Sequence, residues 1–421
     1  MNRYQEIAGR INYWMFLVIA VLLPFPQIPL RYACAIWFVT WLLEGRWLRR
    51  PLPLKEHKEA IPFLLFGLWF GYKLLSYFWA PDYVAWARQM ERYILFGLLI
   101  PVGIWGVNDN YDWRQIGKFF ITSCVIALPL YFILLVELHF HREWVPYFPG
   151  EDIWTPFDSW WTSVYNNISR YKHRLFLCST ELFGVAVALQ LWKKKNQWLS
   201  AILVPIMLSS IIITSSRQAI LTAAAMLVVG ILNALPRVYR WRYGVAILLL
   251  GVVIGSGLLS LNPRMQTVDL SAIKDMRQLS YNHDIRLNIY GAAIQQPTDY
   301  IAYGLGAGQS QNYIAKMMDT LGFHSLAELK FHPHNQYLEE LMEAGIGGLL
   351  LFLLAWLSVP LCTKGNRRRM AWLFITLYLF NMFTDCMFAK FDGIALWVFA
   401  MVLIYRIDPV DKVVSDPPTL A

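Results

Sequence analysis

Long apolar runs, broken by short basic or aromatic connections, recur from one end of the chain to the other. A helix crossing a bilayer needs roughly 20 mostly apolar residues. About twelve stretches reach or approach that length, at residues 11–27, 30–43, 60–79, 92–107, 116–137, 174–192, 197–214, 217–235, 243–261, 337–361, 370–388 and 392–407. The pattern predicts an all-α polytopic membrane protein of about 12 transmembrane helices, forming a single domain over residues 1–407 and followed by a disordered cytoplasmic tail at 408–421. No internal repeat, low-complexity tract or separate soluble domain interrupts it. Arg3 and Arg10 ahead of the run from Ile11 to Phe25 resemble a secretory signal, but Pro24-Phe25-Pro26 follows instead of a small-residue cleavage pattern, so an uncleaved first span is expected.

Composition agrees with the pattern. Of 421 residues 57% are hydrophobic and only 15% charged, too few to cover a soluble surface of this size. The formal charge of +9 does not point to nucleic acid, because the basic residues fall in short clusters between apolar runs. Arg46, Arg49, Arg50, Lys55 and Lys58 lie between spans two and three, Lys193 to Lys195 between six and seven, Arg237, Arg240 and Arg242 between eight and nine, and Lys364 and Arg367 to Arg369 between ten and eleven. Positive residues in short loops stay cytoplasmic, which places both termini there and puts segments 138–173 and 262–336 on the opposite face. The loop before span ten is long enough to expect function from it. Trp144, Tyr147, Phe148, Trp154, Phe157, Trp160, Trp161 and Tyr165 in the first segment form either an interfacial lid beside a lipid substrate or an aromatic belt with no catalytic role. Cys34, Cys124, Cys178, Cys362 and Cys386 lack any CxxC spacing and read as packing residues.

On this topology a set of polar groups shares the extracytoplasmic face: His332, His334 and Asn335 at the start of span ten, Arg217 at the start of span eight, Arg264 after span nine, Arg286 in the large loop, and Asp385, Lys390 and Asp392 near the turn between eleven and twelve. Ionisable groups at a membrane face are costly unless paired or wet, so each is a site candidate. Arg217 is either a snorkelling arginine or, at a helix N-terminus, a phosphate ligand. Arg286 lies on a short amphipathic helical pattern and is equally a solvated residue paired with Asp284. Tyr303-Gly304-Leu305-Gly306-Ala307-Gly308 has neither the βαβ context nor the lysine of a nucleotide loop. As a zinc site, His332-x-His334 lacks a third and fourth ligand, with His324 the nearest further histidine. Asn335 suits the N-cap of span ten, with Glu339 and Glu340 favourable in its first turns. A neutral imidazole suits removal of a proton from a sugar hydroxyl, and His334 is the first choice for that base. Lys73, inside span three, has no reading beyond snorkelling.

His334-Asn335-Gln336-Tyr337-Leu338, the following Glu343-Ala344-Gly345-Ile346-Gly347-Gly348, Ser216-Arg217 opening a span, Arg286 in its loop helix and the glycine-rich Tyr303 to Gly308 occur here in one order and on one side. In these features the chain resembles the O-antigen ligase family of Gram-negative bacteria, related to the O-antigen polymerases and the protein O-oligosaccharyltransferases. The resemblance implies a GT-C-like glycosyltransferase with a periplasmic active site in the inner membrane. It would move O-antigen from undecaprenyl pyrophosphate to a sugar hydroxyl of lipid A–core in lipopolysaccharide biosynthesis. It implies His334 as catalytic base, Arg217, Arg286 and Arg264 as holders of the donor pyrophosphate, and Asn335, His332 and Asp385 in support, Asp385 being otherwise a partner for Lys390. Transfer would be inverting and metal-independent, with no cofactor. A polymerase using the same lipid donor is the alternative within the superfamily, and a protein O-oligosaccharyltransferase a weaker one because the chain ends soon after span twelve. A polytopic lipid-glycan flippase is the alternative from another class, for which paired half-repeats and midplane charges would be expected.

Overall fold

A computed structural model of the chain describes residues 3–45, 47, 58–107, 111–140, 168, 171–191, 197–214, 216–260 and 285–406. Among them there is no strand. Fifteen α-helices follow one another: α1 Arg3–Leu22, α2 Gln27–Glu44, α3 Ile61–Leu75, α4 Tyr83–Trp105, α5 Trp113–Phe140, α6 Arg174–Leu191, α7 Gln197–Ile213, α8 Arg217–Ala234, α9 Arg237–Ser260, α10 Ile285–Ala293, α11 Ser310–Thr320, α12 His324–Glu328, α13 Gln336–Leu361, α14 Gly365–Met382 and α15 Phe391–Arg406.

Twelve of these coincide roughly with the expected apolar stretches. Five, namely α3 with its flanking turns, α5, α6, α8 and α13, are long and apolar enough to cross a membrane. α15 touches α2, α4, α5, α6 and α14 and is buried along nearly its whole length, which its apolar, all-round sequence permits. Trp69, Phe96, Phe352, Trp356, Phe388 and Trp397 form the aromatic centre of the same core. Outside it, Val238, Val245, Val253, Leu68, Ile133 and Leu43 are exposed. Apolar groups on both the inner and outer faces of a helix bundle are what a lipid surround requires.

Two boundaries differ from expectation. α1 starts in the polar segment at Arg3 and stops at Leu22, because Pro24 and Pro26 cannot continue it. α14 ends at Met382, so residues 383–390 form a turn instead of a final helical stretch. That turn is fixed from outside, since the Phe388 N–H donates to Gln336 Oε1 at 3.0 Å.

The described part of the large loop is folded. Ile289, Ala292, Tyr300, Tyr313, Ile314, Met318 and Leu326 share a small core with Met342 of α13, so α10 to α12 dock on the first turns of that helix. The glycine-rich stretch makes the joint. Gly345 leaves helical geometry inside α13, with φ 66° and ψ −173°. The break frees carbonyls that a continuous helix would occupy. Leu305 N–H donates to Met342 O at 2.8 Å, Gly306 N–H to Glu343 O at 3.0 Å and Ile346 N–H to Ile301 O at 2.8 Å. A Cβ on Gly304, whose φ is 78°, would stand 2.4 Å from the Glu343 carbonyl. Glycine is thus required there for backbone docking.

Candidate active site

The site begins with a backbone irregularity. Lys330 and His334 have φ of 46° and 50° and are the non-glycine residues with positive φ among the described residues. Such a conformation is disfavoured for any residue with a Cβ and persists where the surroundings enforce it. Three contacts enforce it at His334. Its N–H donates to His332 Nδ1 at 3.2 Å, and its carbonyl accepts from the Tyr290 hydroxyl of α10 at 3.2 Å. The next residue, Asn335, caps α13 by accepting from Leu338 N–H at 3.0 Å, while its own amide donates to Phe383 O at 3.1 Å. The loop is therefore tied to α10, α13 and the turn after α14 together.

That geometry brings the two imidazoles over Asp385. The rings of His332 and His334 lie 3.9 Å apart between centroids. Asp385 Oδ1 is 3.7 Å from His334 Nδ1 and 4.0 Å from His332 Nε2. Both distances exceed a hydrogen bond, and His334 Nδ1 is buried without a hydrogen-bond partner. Lys390, the partner the sequence offered for Asp385, forms no ion pair with it among the described residues and acts only as a longer-range charge. His173, just ahead of α6, adds a third imidazole to the surroundings and likewise has a buried Nδ1 without a partner. Burial pushes His332 and His173 down to about 4, and the neighbouring cationic groups act in the same direction. Burial alone would raise Asp385, but His334, His173 and His332 outweigh it and hold the carboxyl well below its ordinary range. Near neutral pH the site thus combines a carboxylate with the neutral imidazoles of His332 and His173.

Two chemistries fit. A small closure would let His334 Nδ1–H donate to Asp385, which fixes the tautomer and leaves Nε2 as the proton acceptor; such contacts are often long before substrate binds. Alternatively His332, His334 and Asp385 each offer one ligand atom, all within 4.8 Å of one another. Two imidazoles and a carboxylate suit Zn²⁺. The sequence-based expectation of a missing third ligand is therefore corrected: Asp385, remote in sequence, is placed where one would be.

Arg217 and Arg286 reach the same end of the bundle along separate routes. Arg217 opens α8 directly after the Ser216 cap. α8 is fastened to the end of α14 through Gln218, which donates to Phe380 O, and Thr222, whose hydroxyl donates to Asn381 Oδ1 at 2.8 Å. Arg286 lies on α10, one turn before Tyr290. Arg264 falls at 261–284, outside the described residues, as does most of the aromatic segment at 138–173.

One correction concerns Lys73. It does not snorkel: it is fully buried, 2.9 Å from Glu343 Oε2 and 3.0 Å from Glu340 Oε2. Trp69 Nε1 donates to Glu340 Oε2 at 2.8 Å and the Ser310 hydroxyl to Glu343 Oε1 at 2.8 Å. The Gln336 amide donates at 2.9 Å to both Glu339 and Glu340. This network locks α3 to α13 directly behind the histidine loop. Its signal in the sequence was the coincidence of a lone lysine in one apolar run with three glutamates in another. Asp392 is similarly accounted for as the partner of Lys172, whose ammonium also donates to Leu23 O and Phe25 O.

No curated protein matches the chain. The family model described as O-antigen ligase matches residues 183–353, which run from α6 through the described loop helices and the histidine loop into α13. That segment, which carries His334, Arg217 and Arg286 at one end of an all-helical bundle, is what the chain has in common with the O-antigen ligase family.

Proposed function

We propose that the chain is a membrane glycosyltransferase that moves O-antigen polysaccharide from undecaprenyl pyrophosphate to a sugar hydroxyl of lipid A–core. The observation that carries this reading is His334 itself: an imidazole held in a strained backbone conformation, with a buried, unpartnered nitrogen facing Asp385. His334 takes the proton from the acceptor hydroxyl as that oxygen attacks the anomeric carbon, so configuration inverts. Asp385 orients the ring and stabilises the imidazolium that forms. His332, kept neutral by burial, fixes the loop through its Nδ1 without adding a competing charge. Arg217 and Arg286, with Arg264, meet the negative charge that grows on the leaving pyrophosphate, the kind of preorganised electrostatic contribution that often dominates catalysis. Because the donor is already activated, neither metal nor cofactor is needed. The twelve long helices span the inner membrane with both termini cytoplasmic, and the histidine loop faces the periplasm.

A strain lacking the gene tests the assignment. Loss of a ligase leaves long O-antigen chains accumulating on the carrier lipid. Complementation with H334A is expected to leave that accumulation in place although the protein is inserted at normal levels. Single repeat units attached to core in the deletion strain would instead identify a polymerase.

A further inference from the structure

A cavity open to solvent lies between α4, α11 and α13 and plays no part in the chemistry above. Its lining combines two kinds of group. Arg88 and Arg92, one turn apart on α4, stand in it with Lys330 from the start of the histidine loop, and all three are exposed. Residues at that spacing share a helix face. Among the described residues none of the three forms an ion pair, and Arg92 donates only to the neutral Gln89 Oε1, at 3.4 Å. Gln89 is buried in the wall, and its Nε2 has no hydrogen-bond partner. A buried donor left unsatisfied is unfavourable, so its position in a cavity wall calls for an acceptor from outside the protein.

The inner lining is acidic. Glu339, Glu343 and Asp82 line it, but each is partly occupied: Glu343 by Lys73 and Ser310, Glu339 by Gln336, Asp82 by Asn312 and the first amides of α4. A bare phosphate drawn to the cations would meet these carboxylates as like charges. A polyol would use their remaining lone pairs as acceptors for its hydroxyls. A ligand with both features satisfies the whole lining.

We propose that this cavity binds a phosphorylated sugar, its phosphate held by Arg88, Arg92, Lys330 and the Gln89 amide, and its hydroxyls by Glu339 and Asp82. Glu339 lies in the first turns of α13, which begins just after His334, so the sugar is held beside the helix that follows the base. The choice of probes rests on the glycosyl-transfer reading; the measurement does not, because it records binding without turnover. Two sources supply the same chemistry, the donor's sugar pyrophosphate and a phosphorylated sugar of the acceptor.

Binding to the purified full-length protein is measured with two probes, a short-chain polyprenyl-pyrophosphate sugar and a heptose phosphate, each beside its dephosphorylated counterpart. R88A/R92A replaces exposed side chains and is expected to melt with the wild type. It should weaken one phosphorylated probe by tenfold or more while leaving the dephosphorylated sugar unchanged, and the probe affected names the source. Equal binding of both phosphorylated probes by R88A/R92A and wild type, or no binding of either probe to wild type, overturns the proposal. Failure of the transfer reading is recorded separately, as full transfer by H334A with the cavity's binding intact.

Discussion

His334 shows how a single side chain is set up by its neighbours more than by its own chemistry. An imidazole is an ordinary base; here its amide, carbonyl and following cap are all engaged, and its nitrogen is left facing a carboxylate. Keeping His332 and His173 neutral beside it has a cost that appears as acid sensitivity. His332 and His173 are held at about 4 in the folded protein, against about 6.5 for an unperturbed imidazole. Between those values the unfolded chain binds more protons, so stability present above about pH 6.5 is lost as pH falls toward 4. The melting temperature should accordingly drop between pH 7 and pH 5, and H332Q should show a smaller drop. An H332Q slope matching that of the wild type would remove His332 from this account. The loop's polar residues were legible in the sequence, because histidines and an N-cap asparagine at the head of an apolar run invite explanation. Asp385 was named beside them only through the family resemblance and with Lys390 as a competing partner; its place against both imidazoles depends on the turn after α14, which brings it to a loop about fifty residues earlier in the chain.

α13 is the element on which the site depends. Its apolar length was evident from sequence, and so were the glycines within it. What sequence did not reveal was the use of Gly345: the break exposes Met342 and Glu343 carbonyls to a second glycine segment, and that requires knowing which backbone approaches. Lys73 was misread for a related reason. A lone lysine in an apolar run looks like a residue reaching for water until the glutamates of α13 are placed against it. Removing one partner of a buried pair leaves an uncompensated charge and costs about 3–5 kcal/mol, whereas removing both charges is far better tolerated. Lys73→Met should therefore melt well below wild type, and K73M/E340Q/E343Q should recover much of the loss. Thermal unfolding in detergent measures both, and a K73M melt equal to wild type would contradict a structural role for the network.

Across the bundle, helices that are distant in sequence bring polar residues toward the same end. α4 brings Arg88 and Arg92, α8 brings Arg217, α10 brings Arg286, and α13 and the turn after α14 bring the histidines and Asp385. The order of apolar runs conveyed most of this arrangement, because membrane helices of bilayer length alternate direction and so sort their ends between two faces. It conveyed less about the large loop, whose folded part is held by its own small core and by backbone contacts to α13. The central claim is that one imidazole at this shared end performs the transfer. Its most direct test uses purified protein, a defined undecaprenyl-pyrophosphate glycan and lipid A–core, with glycan joined to core as the readout. A general base contributes about 10²–10⁴-fold, so H334A, melting as wild type, should transfer at least about a hundredfold more slowly. Transfer by H334A within a few-fold of wild type would contradict the account.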